Sequence, residues 1–340
     1  MMDLPEPATA RTATARRATE GKPMNEQKKI AVAGATGSQG GGVVDAILAD
    51  PEQRFAVRAL TRDPSSPAAR ALAARGVEVV QADFADEPSV VAALTGVDGA
   101  FLVTNFWAHG SAARELEEIA TLARAAAASG VGHVVWSTLE DTRDLLPLED
   151  PRMPVLQDHY NVPHFDAKGE GNAFFAAAGV PTTYLNTAFF FQNLAASAMG
   201  ARREDDGVLT LTLPLEDGKR MSAVDVSDIG RTAFAILAAG DEYIGRTVGL
   251  AGDHLTGAEY ASVLSDVLGE PVRFRSIAYD DARRSGAPGS DEFGNMFQYY
   301  GDFDAEFTGA RDLTSLRKIV PGLKDFRTWA QENVALLTAE

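Results

Sequence analysis

Two stretches of this 340-residue chain combine residue types that could do chemistry. The first is AGATGSQGGGVVDAIL, residues 33–48, with glycine at 34, 37 and 40 and again at 41 and 42. Glycine allows a tight turn and a close backbone approach to an anion. This run lies between apolar KKIAVA and apolar VVDAIL. A helix starting there aims free N–H groups and its positive dipole end at a phosphate. Gly34, Ala35, Thr36, Gly37, Ser38, Gln39 and Gly40 are therefore the candidate cradle. The second stretch is VPHFDAKGE, residues 162–170. Its His164 and Lys168 are four apart, on one face of a helix. A histidine titrates near neutrality and can donate a proton. Ser137 or Thr138, closing the run HVVWST, adds a hydroxyl. The chain has no cysteine, so disulfides, zinc thiolates and a cysteine nucleophile are excluded. The five histidines (His109, His133, His159, His164 and His254) show no metal-ligand spacing, and no metal is expected.

Strands and helices must alternate to place these residues together, and the pattern says that they do. Strands are read at 29–35, 55–62, 77–83, 99–104, 133–138 and 181–187, each a short apolar run. Helices fall between them, beginning at VVDAIL and continuing at 65–76, 89–96, 111–130 and 165–179. Ser at the start and Gly at the end mark the helices at 65–76 and 111–130. This alternation predicts an α/β, doubly wound parallel-sheet Rossmann fold over 28–187. Beyond 187 the rhythm changes. LTLTLP and GKRMSAVD are expected to pair antiparallel through LEDG. Helices follow at 226–240, 256–269 and 323–337, with a strand at 247–252. Residues 188–340 are expected to form a smaller, substrate-side C-terminal lobe, interleaved with the last elements of the sheet. Residues 1–27 carry no apolar core and are expected to be a disordered extension, and Met24 is a candidate true start.

The second strand bears on the choice of nucleotide. It ends Thr61-Arg62, followed by Asp63-Pro64. A cation there suits a 2′-phosphate, whereas a carboxylate would suit the free ribose hydroxyls. Arg62 thus predicts NADP(H), with Asp63 as the contrary sign. Asp83 ends the third strand, where an adenine edge would lie. Thr104, Asn105, Phe106 and Trp107 follow the fourth, at the carboxyl ends where ligands of such sheets collect.

On GATGSQGG, RALTRDP, VVQADFAD, FLVTNFW, VPHFDAKGE and GVPTTYLNTAFFFQNL the chain resembles the NmrA-like atypical short-chain dehydrogenase/reductases, the NADP-sensing HSCARG type in particular. LAGDHLTGAEYASVLSDVLG and FGNMFQYY resemble later family segments, so the likeness runs over about 28–337. It implies cofactor contacts at Gly34 to Gln39, Arg62, Asp83, Phe84, Thr104 to Phe106, Lys168, and Phe190, Phe191, Gln192 and Asn193. It also suggests Arg114 where relatives carry a cofactor-facing Lys. Ordinary short-chain dehydrogenases use a Ser, a Tyr and a Lys, the last two four apart. Here Ser137 fits the Ser and Lys168 the Lys, but His164 stands where the Tyr is expected.

Two functions are compatible with that substitution. One is an NADP(H)-responsive redox sensor or regulator, in which the cofactor site is intact, the catalytic set is degenerate, and occupancy changes affinity for a protein partner. The other is an NADPH-dependent oxidoreductase that reduces a small carbonyl, quinone or enone, with Trp107, Phe190, Phe297, Tyr299 and Tyr300 lining a hydrophobic substrate site. The net charge of −17 argues against nucleic acid or an anionic membrane as a direct partner. No apolar run reaches the roughly 20 residues of a membrane helix. A cytoplasmic protein is expected, either monomer or dimer.

Overall fold

Short apolar runs, continuously buried in the central strands, build one sheet with helices on both faces. The structure, a computed structural model, describes residues 27–197 and 199–338. The expected disordered extension lies outside the described residues except for Gln27. The first six strands are β1 (Lys28–Val32), β2 (Phe55–Thr61), β3 (Glu78–Gln81), β4 (Gly99–Leu102), β5 (His133–Thr138) and β6 (Thr182–Asn186). Between them run α1 (Ser38–Leu48), α2 (Pro67–Ala74), α3 (Glu87–Leu94), α4 (Ala112–Ser129) and α5 (Pro163–Ala177). Further along come β7 (Phe189–Phe190), β8 (Arg202–Arg203), β9 (Leu209–Leu213), β10 (Arg220–Val224), α6 (Val226–Ala238), β11 (Thr247–Gly249), β12 (Asp253–Thr256), α7 (Gly257–Leu268), β13 (Val272–Ser276), α8 (Tyr279–Arg283) and α9 (Ser290–Asp302).

The main sheet has the order β11-β6-β5-β4-β1-β2-β3, and its strands pair in parallel throughout the described residues. The chain winds outward from β1 in both directions, so the crevice between the ends of β1 and β4 is the switch point where such sheets bind ligands. Successive side chains enter two apolar layers, one on each face of the sheet. Ile30 and Val32 join the apolar layer of α1 and α6, while Ala31 and Ala33 face the layer of α3, α4 and α5. Helix ends follow their sequence signals. Ser66 Oγ accepts the N–H of Ala69, and Ser111 Oγ accepts that of Arg114. Gly130 closes α4 in the left-handed conformation, φ 70°.

The second half of the chain serves both layers. β11 extends the main sheet beside β6, and α6 covers α1. A Cβ at Gly230 would lie 2.1 Å from the backbone of Gly42, so glycine at 230 is needed for that close crossing. The expected antiparallel pair of β9 and β10 does not form. β9 pairs with β8 and β13, and β10 pairs with β12 and β7. Leu211 and Leu213 are fully buried in the lobe core, and long-range strands outcompeted the adjacent one for their edges. The helix expected at 323–337 breaks at Asn333 into Phe326–Glu332 and Val334–Thr338. Tyr260, Phe326 and Trp329 pack there around Phe191. Fully buried Arg311 ties lobe to sheet, pairing with Glu140 at 2.7 Å and donating to the Thr187 carbonyl at 2.6 Å. Among the described residues no helix is long and apolar enough to cross a membrane.

Candidate functional site

The glycine run folds as a turn between β1 and α1. Gly34 has φ +61°, a conformation that favours glycine, and the Gly37 N–H closes the turn on the Gly34 carbonyl at 2.8 Å. A Cβ at Gly40 would sit 2.4 Å from the carbonyls of Ala33 and Gly34. Helix α1 then opens with no side-chain cap and no acidic residue in its first turn. The first-turn N–H groups at Ser38, Gln39 and Gly40 have no intrahelical acceptor. An uncapped positive helix end at the switch point fits a pyrophosphate. Ala35 and Gly40 are buried beneath the turn, while Gly34, Thr36, Gly37 and Ser38 are exposed on it. Ser137, buried at the end of β5, donates from Oγ to Gln39 Oε1 at 2.7 Å. That serine therefore braces the turn.

The rim of the crevice separates Arg62 from its acidic neighbour. Asp63 turns back on its own loop, where Oδ1 accepts from Ser65 N–H at 2.8 Å and Ser65 Oγ at 2.6 Å. These bonds hold the Asp63 carboxyl below its usual range. Arg62 is exposed, and no carboxylate pairs with its guanidinium among the described residues. The contrary sign in the sequence is thus occupied locally, and the cation is free. Asp83 is exposed and caps its own turn, accepting from Ala85 N–H at 3.0 Å, with half-buried Phe84 beside it.

Deeper in the crevice, α4 and α5 bring a buried charge cluster together. Lys168 Nζ donates to Glu115 Oε1 at 2.6 Å, to Thr104 Oγ1 at 2.7 Å and to the Thr104 carbonyl at 3.2 Å. Thr104 Oγ1 donates to the same Glu115 oxygen at 2.5 Å. Lys168, Glu115 and Thr104 are all buried, so the ion pair sits in a low-dielectric setting, with the Lys168 ammonium and Glu115 Oε1 held by hydrogen bonds. Thr138 fixes the helix that carries the lysine, donating toward the Lys168 carbonyl at 3.1 Å and to Asn172 Oδ1 at 2.9 Å. Asp166 fixes its start. The carboxylate accepts from Thr142 N–H and Oγ1 and from the N–H groups of Asn161 and Val162. Burial pushes that carboxyl up despite these donors.

His164 lies one turn before Lys168, and the C-terminal lobe supplies its partner. Glu292, on α9, accepts from His164 Nδ1 and from its backbone N–H, both at 2.6 Å. The carboxylate fixes Nδ1 as the protonated nitrogen and leaves Nε2 as the nitrogen free to exchange a proton. Phe106 and Trp107 flank the imidazole with ring centroids at 5.9 and 5.0 Å. Trp107 is 49% exposed and stacks on Phe293 at 5.1 Å and 13°. α9 is anchored over this site by Asn295, which donates to the carbonyls of Pro154 and Asn161.

Several expected contacts look different in three dimensions. The Phe191 ring is fully buried against Phe326 and Trp329, in the core of the lobe. Gln192 donates to Asp225 Oδ1 at 2.6 Å and accepts from Val226 N–H, which ties it to the start of α6. Phe190 and Asn193 are half-buried, Asn105 is exposed and Phe106 is buried. Phe297, Tyr299 and Tyr300 are lobe core, not lining, because Phe165, Phe189 and Phe307 pack on them. Arg114 points outward and pairs with Glu118 at 3.4 Å. Glu115 and Glu292 were missed. Neither stands at a telling spacing, although Glu292 lies just before FGNMFQYY, one of the stretches singled out in the sequence.

The family model of the NmrA-like family matches residues 26–329. The NAD(P)H azoreductase of Xenophilus azovorans is 31% identical over 257 residues, covering 75% of this chain and 79% of that protein. A (4-alkanoyl-5-oxo-2,5-dihydrofuran-3-yl)methyl phosphate reductase of Streptomyces griseus is 32% identical over 255 residues, with the same coverage of 75% and 79%. Among solved structures, the negative transcriptional regulator NmrA in complex with NADP has a TM-score of 0.72 at 19% identity, covering 91% of this chain and 96% of that one.

Proposed function

The chain belongs to the NmrA-like family, and on that premise we propose that it is an NADP(H)-dependent oxidoreductase reducing a small carbonyl, quinone or enone. The observation that carries this reading is the His164–Glu292 pair, one helical turn from buried Lys168. A pure binding module has no use for a histidine held in one tautomer by a buried carboxylate. The reductase names of relatives above 30% identity support the same reading.

The bound nicotinamide would supply the hydride. The chain's own residues do the rest. The turn from Gly34 to Gly40 receives the pyrophosphate, with N–H groups at the start of α1 as donors. Arg62 meets the 2′-phosphate. Asp83, Phe84, Thr104, Asn105, Phe106, Phe190 and Asn193 border the cofactor along the strand ends. Lys168 holds the nicotinamide ribose, and Thr104 keeps its ammonium at the crevice floor. His164 delivers a proton from Nε2 to the developing oxyanion, and Glu292 stabilises the imidazolium beforehand. Trp107, exposed and stacked on Phe293, offers an apolar face to a flat substrate.

A second reading, an NADP(H)-responsive regulator acting through a protein partner, has one observation in its favour. All three Lys168 donors are engaged within the protein, as in a site built for binding without turnover. NADPH oxidation followed at the nicotinamide band with a panel of quinones and aldehydes separates the two. Turnover is expected, falling about a hundredfold or more in His164→Asn and about tenfold to a hundredfold in Glu292→Gln. Tight NADPH binding with no turnover across the panel would replace the enzyme by the regulator.

A further inference from the structure

A third titratable group stands behind the lysine, and neither function uses it. His109 lies in the loop between β4 and α4, its side chain 7% exposed. Its Nε2 points at Glu115 Oε2, 3.4 Å away, and at Glu118 Oε2, 3.9 Å away. His109 Nε2 and Glu115 Oε2 are both sealed from solvent, and neither has a hydrogen-bond partner. Two orphaned polar atoms facing each other across a buried gap are costly and uncommon.

The three ligand atoms of His109, Glu115 and Glu118 lie within 4.8 Å of one another, a spacing a metal ion could also use. Two features favour a proton. His109 Nδ1 accepts the Ser111 N–H at 3.1 Å, which puts the ring proton on Nε2, where a metal would need a lone pair. Glu115 already holds the Lys168 ammonium through its other oxygen.

We propose that His109 and Glu115 are positioning residues for Lys168, and that His109 takes up a proton from solvent when the cofactor draws the Lys168 ammonium off Glu115. This rests on the cofactor reading above. When Lys168 turns to the ribose, the Glu115 carboxylate stays in the interior without its cation, a strongly unfavourable state if uncompensated. A second proton on His109 restores the pair. It displaces the Nδ1 contact with Ser111, and Nε2–H closes on Glu115 Oε2. Glu118, 17% exposed on its side chain, borders the cluster on the solvent side and its carboxyl is pushed up by burial. Other charges facing the cluster are Arg114, paired with Glu118, and the His164–Glu292 pair across the Phe106 ring. The loop itself links the two events. Asn105 and Phe106 border the cofactor, and His109 is three residues on.

The test is calorimetric titration with NADPH at pH 7.5 in buffers of different ionisation enthalpy, which counts protons taken up per cofactor bound. The wild type is expected to take up a substantial fraction of one proton more than His109→Gln. The 2′-phosphate and all other groups are common to both proteins, so the difference isolates His109. Glu115→Gln is expected to abolish the difference, since a neutral amide needs no compensating charge. Glu118→Gln is expected to keep it. Equal proton counts in wild type and His109→Gln, with binding intact, overturn this proposal alone. Absence of NADPH binding in the wild type overturns the cofactor reading as well. Retention of one equivalent of zinc by the wild type and not by His109→Gln overturns it in favour of a metal site.

Discussion

The glycine turn and the buried charge cluster are built in opposite ways. The turn comes from a single run of seven residues between β1 and α1, held by its own backbone and by one serine from β5. The cluster takes Thr104 from the end of β4, Glu115 from α4, His164 and Lys168 from α5, and Glu292 from α9. The local site depends on backbone conformation. The assembled one depends on charges that neutralise each other only once distant segments have packed.

Breaking the assembled site should therefore show in stability as well as in activity. Lys168→Met leaves the Glu115 carboxylate buried without its cation and is expected to cost about 3–5 kcal/mol in urea unfolding. Adding Glu115→Gln to that variant should restore most of the loss. A double variant no more stable than the single one would remove the ion pair from the argument. Breaking the turn should be felt mainly by the ligand. The Cβ of Gly40→Ala meets two carbonyls, so NADPH affinity is expected to fall about a hundredfold in a fluorescence titration, with a smaller change in melting temperature.

Finer changes sharpen the contrast within the turn's own surroundings. Arg62→Ala is expected to weaken NADPH binding about tenfold and to leave NADH binding unchanged. Equal losses for both cofactors would place Arg62 outside the 2′-phosphate site. The smallest effect concerns Asp228, a fully buried carboxylate on α6 that accepts from the Lys324 N–H. Burial pushes its carboxyl up to about 6 from 3.8. Between those values the folded protein keeps a proton that the unfolded chain has released, so stability from this group falls as pH rises through that window and is flat above it. Asp228→Asn keeps an acceptor for the Lys324 N–H. Relative to wild type it should be more stable at pH 7 than at pH 4. Denaturant melts at the two pH values check this, and a pH-independent difference would contradict it.

Sequence reading went furthest where structure is local. Strand alternation, the Ser and Gly helix ends and the glycine turn all act within a few residues, and the sheet followed from them. It failed at LTLTLP and GKRMSAVD, because two adjacent strand-like runs do not say whether they pair with each other or with strands elsewhere. It also misjudged Phe297, Tyr299 and Tyr300, since an aromatic lines a pocket or fills a core according to what packs on it. Asp63 and Arg62 show the same limit at the scale of one loop. Arg62 predicted NADP(H) with Asp63 as the contrary sign, and only the fold shows that carboxylate occupied by two hydrogen bonds from Ser65.

By itself the sequence determined the sheet, the phosphate turn and the placing of His164 one turn before Lys168, since each depends on periodicity or on backbone freedom carried by neighbouring residues. Only the tertiary structure decided that Glu115 would hold the lysine and Glu292 the histidine. Those partners are 53 and 128 residues away, and a carboxylate acquires such a role only when folding removes it from water and leaves one cation or one imidazole within reach.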